Sequence, residues 1–329
     1  MPKGSFNTHD IYAREVLTHP ANAASELRDI LDPELVAHLD LDNLRLESTN
    51  FITEDQRAEY GDILYKTTLN QRPAYVYILI EHQTKNDPLM GYRLLSYMVH
   101  IWRRYLDDHP RATTLPAIIP LVVHSSRSRR RWTAPTQFAD LIKADDATRG
   151  LLANTIPHFE YLVDDVSPLT IDELRARHLN QPLMLMLFMQ KVVGRNPDVV
   201  SDMMANVDLF EQILHGPDGA RLLAQAFNYL FTLKQGDHTS LKPLTTKLGP
   251  KAEEIIVTIA ETLRNEGRTE GRTEGRTEGV SETLISLLTL KFGTLEPSDR
   301  ARIEHAPIEQ LRTWCDRVLI ADSVAEVLR

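Results

Sequence analysis

Residues 60–83 constrain the fold of this chain more than any other stretch. They read Tyr60-Gly61-Asp62-Ile63-Leu64-Tyr65-Lys66, a turn, then Ala74-Tyr75-Val76-Tyr77-Ile78-Leu79-Ile80-Glu81-His82-Gln83. The second run is aromatic and β-branched, the composition of a strand buried on both faces. The pattern predicts a β-hairpin with acidic residues where a core strand does not tolerate them. Alternation places Tyr75, Tyr77, Leu79, Glu81 and Gln83 on one face. Centring the loop on Gln71-Arg72 sets Asn70 opposite Pro73 and Asp62 opposite Glu81. Two carboxylates directly opposite one another repel, and a bound divalent cation removes that repulsion. Mg²⁺ in particular is held by one or two carboxylates together with waters and substrate phosphates. The expected geometry therefore points to a metal site at Asp62 and Glu81.

The net charge of −9 argues against indiscriminate coating of nucleic acid, for which a basic surface is needed. Charge matters locally, however, and one basic segment follows the apolar run that ends at Val123. Arg127, Arg129, Arg130 and Arg131 precede Trp132, a set suited to contacting phosphates and stacking on a base or sugar. The same segment also reads as a solvated loop whose arginines pair with nearby acids. No apolar run approaches the roughly 18 residues needed to span a bilayer. The first ten residues lack the apolar core of a signal peptide, so the expected compartment is cytoplasmic. Cys315 is the single cysteine, which excludes an internal disulfide and fits that compartment.

Residues 8–40 read as helical, divided near Pro20, with Asp32-Pro33 restarting a short helix. Leu44–Ser48 reads as a first strand. After the hairpin, Asp87-Pro88 caps a helix whose apolar face is Met90, Leu94, Tyr97, Met98, Ile101 and Tyr105. A strand over 117–123 follows, and Tyr161–Asp164 adds one more. This order suits a mixed sheet with helices on its faces, an α/β core. From about Ile171 helix dominates, with Met184–Met189 as a buried segment and further helices at 198–215, 218–234 and 250–265. The histidines show no ligand spacing. Residues 266–279 repeat Glu-Gly-Arg-Thr three times and end in Glu-Gly. Like charges recur at i,i+4 and four glycines interrupt the run, which disfavours a lone helix. The repeat is either a linker or a helix whose glycine stripe packs on a partner. Helices over 280–292, from Pro297, and over 308–328 complete the chain.

Several pieces together resemble a known family. Asn7-Thr-His-Asp10, Leu44–Ser48, Asp62-Ile-Leu-Tyr65, Leu79-Ile-Glu-His-Gln83, Tyr92–Tyr97 and Leu115–Val123 are similar to the Rpn group. These are recombination-promoting nucleases of the PD-(D/E)XK superfamily, also described as YhgA-like putative transposases. The resemblance covers roughly residues 7–200. It implies a restriction-endonuclease-like mixed-sheet core flanked by helices, followed by an all-helical C-terminal region. It also implies Mg²⁺-dependent hydrolysis of DNA phosphodiesters, linked to recombination or mobile elements. Carried over by position, Asp62 and Glu81 are metal ligands and Gln83 fills the slot usual for lysine, where it orients water or a phosphate oxygen. Arg14 stands where the group usually carries Lys. Asp10 either completes the acidic site or caps the helix expected from Ile11; Glu15 is a further acid on that helix. The expected divisions are a nuclease core at 1–170, a helical extension at 171–265, the repeat at 266–279 and a small helical module at 280–329. The tail reads as an oligomerisation or partner surface, with a homo-oligomer and DNA as the expected partners and no membrane. A second reading keeps the fold and binds DNA or protein without cleaving.

Overall fold

The computed structural model describes residues 8–49, 62–81, 87–126, 130–193, 198–234 and 238–329. The chain forms two compact units, Met1–Val257 and Thr258–Arg329. In the first, α1 (Thr8–Leu17), α2 (Pro20–Ile30) and α3 (Pro33–His38) precede the sheet. Pro20 stands in the first turn of α2, where its missing N–H is not needed. Asp32 caps α3 by accepting from the Glu34 N–H at 2.8 Å. Of the two readings of Asp10, completing the acidic site or capping a helix from Ile11, the cap is not what the structure shows. Helix α1 already begins at Thr8, so Asp10 lies in its first turn, where an acid meets the positive end of the helix dipole.

The strands are β1 (Arg45–Glu47), β2 (Ile63–Leu69), β3 (Arg72–Glu81), β4 (Ala117–His124) and β5 (Leu162–Asp165). They lie in the order β1-β2-β3-β4-β5. The first three are antiparallel; β3, β4 and β5 run parallel. Between β3 and β4 the chain crosses over through α4 (Met90–Asp108), which buries Met90, Leu94, Tyr97, Met98 and Ile101. Met90, Leu94, Tyr97 and Ile101 pack with Leu64, Tyr75, Val122 and Tyr161, so α4 covers one face of the sheet. The opposite face meets the N-terminal helices: the Tyr65 hydroxyl donates to the Leu17 carbonyl at 2.7 Å. The α/β class and mixed sheet expected from the sequence are present.

Helix then predominates: α5 (Asp146–Leu151), α6 (Ile171–Arg175), α7 (Gln181–Val193), α8 (Val199–Ala205), α9 (Val207–His215), α10 (Gly219–Lys234) and α11 (Lys242–Leu248). Residues Leu183 to Val193 of α7 are all buried, which explains a segment apolar on every side. The break at Asn206 divides the helix expected over 198–215 into α8 and α9.

Helix α12 (Pro250–Phe292) runs 43 residues and includes the whole repeat. Extending an existing helix adds one hydrogen bond per residue without a new nucleus. The apolar segments on either side supply that nucleus, and the glycines in between are carried along. In the second unit, α13 (Pro297–Glu304), α14 (Ile308–Val318) and α15 (Val324–Val327) close on the end of α12. Leu284, Leu288, Ile303, Leu311, Trp314 and Val327 form its buried core. The single helix expected over 308–328 is interrupted after Val318, where the Lys291 ammonium donates to the Val318 and Ala321 carbonyls, each at 2.8 Å.

Candidate metal and nucleic-acid site at one end of the sheet

Because β3, β4 and β5 are parallel, their C-terminal ends lie side by side. Glu81 pairs with His124, and His124 pairs with Asp165. Strand β2 runs the other way, so its entry at Asp62 falls at the same end. In open α/β sheets ligands bind outside the carboxyl ends of the strands. The hairpin brings Asp62 and Glu81 to that end, but not directly opposite one another. Ile63 pairs with Ile78 and Leu69 with Arg72; one further step sets Asp62 across from Leu79. The loop is Asn70-Gln71, one residue earlier than expected, with φ of +49° and +63°. Two successive positive φ values make the tight hairpin turn that matches strand twist, and Asn adopts that conformation readily. Asp62 and Glu81 are therefore diagonal neighbours, roughly 7–8 Å apart at Cα in an antiparallel pair.

Asp62 is 1% exposed. Its backbone carbonyl accepts a hydrogen bond from the Arg14 guanidinium of α1. Burying a carboxylate is costly unless charge or hydrogen bonds compensate, and Arg14 brings a cation to this strand entry. The same helix carries Asp10, half-buried one turn earlier, and exposed Glu15. Burial raises the Tyr65 hydroxyl above its ordinary range, and the nearby Arg14 opposes that. The backbone of Glu81 is described; its side chain lies outside the described residues, as do Gln83, Arg127 and Arg129. Among the described residues no three His, Cys, Asp or Glu side chains gather to hold a metal ion.

Sequence reading had not singled out His124. It is fully buried at the end of β4. Its Nε2 lies 3.2 Å from the Arg130 carbonyl oxygen. A carbonyl only accepts, so Nε2 carries the proton. The ring stands edge-on to Trp132 with centroids 5.1 Å apart. Asp165 holds the same segment through its carboxylate, which accepts from the Trp132 N–H at 2.8 Å and the Ser167 N–H at 3.1 Å. His124 and Asp165 thus pin residues 130–132 onto the ends of β4 and β5, leaving Arg130 and Arg131 exposed beside the strand that ends in Glu81. In sequence His124 is only the polar residue closing an apolar run. Its level with Glu81 exists once β3 and β4 pair.

A second charged group lies on the opposite face of the sheet. Arg177 binds Asp29 at 2.7 Å, Asp164 at 2.9 Å and Glu26 at 3.3 Å. Burial, then the adjacent Asp164 carboxylate, holds the Glu26 carboxyl well above the usual range. The raised value favours the neutral carboxyl of Glu26 beside Asp164. This cluster fastens α2 to β5 and to the turn after α6.

An α/β core with buried acid at one end of a mixed sheet is a scaffold known from several enzyme classes, and the comparisons narrow it. Residues 7–220 match the family described as putative transposase, YhgA-like, and the chain belongs to that family. It is 29% identical over 270 residues to the recombination-promoting nuclease RpnA of Escherichia coli K12, covering 80% of this chain and 86% of RpnA. To RpnD of Escherichia coli O157:H7 it is 29% identical over 264 residues, 78% of this chain and 94% of RpnD. It is also 27% identical over 263 residues to RpnE of Escherichia coli K12, described as an inactive recombination-promoting nuclease-like protein, covering 79% of this chain and 82% of RpnE. No solved structure matches. Among the described residues no helix is long and apolar enough to cross a membrane.

Proposed function

We propose that this protein is a divalent-metal-dependent DNA endonuclease that acts at the strand end where Asp62 and Glu81 converge. The observation that carries this reading is the buried carboxylate of Asp62 at the entry of β2, on the hairpin whose other strand ends in Glu81. Hard oxygen ligands at a pair of acids suit Mg²⁺. A divalent ion held there lowers the pKa of a bound water and steadies phosphate oxygens. Arg14 secures the strand entry, and Arg130 and Arg131 bind the phosphate backbone. Gln83 orients water or a phosphate oxygen through its amide. DNA is the substrate, the compartment is the cytoplasm, and the C-terminal helices join copies of the chain. A role in recombination follows the names of the nuclease relatives.

Plasmid nicking with and without Mg²⁺ tests this reading. Wild type is expected to nick only with metal; Asp62→Ala and Glu81→Ala are each expected to lose cleavage by at least a hundredfold while melting as folded proteins. Full cleavage by the double variant overturns the assignment. A second reading, a protein that binds DNA without cutting it, is favoured by the inactive-named relative at 27% identity. It is the outcome if wild type retains plasmid in a gel shift and never nicks it.

A further inference from the structure

We propose that His124 is a third ligand of the metal site at Asp62 and Glu81, bound through Nδ1, and that it biases the site toward a transition ion such as Mn²⁺. This rests on the proposed metal-dependent reading and adds to it a residue and a metal class. Three observations carry it. First, His124 is the strand partner of Glu81, on the neighbouring parallel strand and at the same level. Second, its Nδ1 is buried and has no hydrogen-bond partner among the described residues. Leaving a buried acceptor unsatisfied is costly, so such an atom at the end of a core strand needs a reason. Third, the other nitrogen is committed: Nε2–H donates to the Arg130 carbonyl, which fixes the tautomer and leaves the Nδ1 lone pair bare. Metal-binding histidines are characteristically oriented this way, with the outer N–H on a carbonyl or carboxylate and the inner nitrogen on the ion.

The edge-on contact with Trp132 holds the ring plane, so the lone pair has a defined direction. Imidazole favours first-row transition ions over Mg²⁺, whereas carboxylates alone suit Mg²⁺ and Mn²⁺ alike. Adding one nitrogen to two carboxylates therefore shifts the preference toward Mn²⁺. A packing role alone accounts for the Trp132 contact but not for the bare nitrogen.

Titration calorimetry with MnCl₂ and with MgCl₂ tests the assignment on the full chain. His124→Gln extends an amide that donates to the Arg130 carbonyl and so preserves the fold, but it places nothing at the Nδ1 position. It is expected to weaken Mn²⁺ binding tenfold or more and Mg²⁺ binding by less than threefold. His124→Asn puts an oxygen near the Nδ1 position and is expected to lower the ratio of Mn²⁺ to Mg²⁺ affinity while retaining both ions. Unchanged Mn²⁺ affinity in His124→Gln overturns the proposal. Pulsed electron paramagnetic resonance of Mn²⁺ bound to wild type needs no variant to fold: coupling to one ¹⁴N nucleus is expected, and its absence also overturns the proposal. A wild type that shows this coupling and does not nick plasmid keeps the ligand assignment and defeats the endonuclease reading. A wild type that binds neither ion defeats both.

Discussion

Arg14 and Asp62 are 48 residues apart in sequence, and the guanidinium of the first donates to the backbone carbonyl of the second. One helix thereby fixes the point at which β2 enters the sheet. The link works through the main chain, so it sets the position of Asp62 without occupying the carboxylate. Tyr65 repeats the device two residues into β2, its hydroxyl bound to the end of the same helix at Leu17.

Loss of that link is expected to loosen the strand entry. Arg14→Ala leaves a carbonyl beside a buried residue without its donor, at about 1–3 kcal/mol of stability. Nicking at saturating metal is expected to fall tenfold or more, since small misplacements of a catalytic group are expensive. Arg14→Lys keeps a cationic donor and is expected to stay within a few-fold of wild type. Thermal melts and single-turnover nicking measure both effects. An alanine variant with the rate and stability of wild type shows that Arg14 only decorates the helix.

Gln83 gives a sharper test of the chemistry. If its amide orients water, Gln83→Lys retains cleavage, because lysine is the usual occupant of the corresponding slot. Gln83→Leu has no donor left and is expected to lose at least tenfold in rate with little change in metal affinity. Equal rates for leucine and glutamine remove the residue from the mechanism.

The hairpin, α4 and the strand over 117–124 were legible because each has a periodicity of its own. Aromatic and β-branched residues mark β3, and apolar spacing from Met90 to Ile101 marks α4. The register was not legible to the residue. Asn70-Gln71 and Gln71-Arg72 are both acceptable loops by composition, and only the positive φ at Asn70 and Gln71 decides between them. That one-residue difference moved Asp62 from opposite Glu81 to a diagonal. His124 was hidden for a different reason: its meaning comes from parallel pairing across a crossover, which no local pattern encodes. Arg177 is likewise 151 residues from Glu26. The continuity of α12 through the repeat arises from its neighbours, whereas local propensity argues against it.

The buried cluster around Arg177 makes stability depend on pH in a definite sense. Burial and Asp164 raise the folded pKa of Glu26 above its unfolded value of about 4.3. Below the unfolded value both states are protonated and there is no penalty. As pH rises from there toward the folded pKa, the unfolded chain gives up the proton first, so stability falls, by up to about 1.4 kcal/mol per pH unit. Glu26→Gln keeps the shape of the side chain and does not titrate. Its melting temperature is expected to decline less than that of wild type between pH 5 and pH 8, by ~2–4 °C for each kcal/mol removed. Parallel declines in the two proteins contradict a raised Glu26 pKa.

The last prediction concerns where DNA lies. His124 and Asp165 pin residues 130–132 at the strand ends, and Arg130 and Arg131 are exposed there. Each arginine that neutralises a phosphate releases counterions, giving a log–log salt slope of about −0.9 per contact on duplex DNA. Replacing Arg129, Arg130 and Arg131 by alanine is expected to flatten that slope by about 2 to 3 units with little change in sequence preference. The C-terminal unit offers no comparable run, since its arginines alternate with acids along the repeat and on α13 and α14. Ending the chain after Leu263, beyond the first unit, is therefore expected to leave the slope unchanged while lowering the oligomeric state in sedimentation. Affinity measured across a salt series for both variants decides the matter. A slope unaltered by the arginine changes, or one that collapses in the truncation, moves the DNA surface away from the strand ends and onto the helical tail.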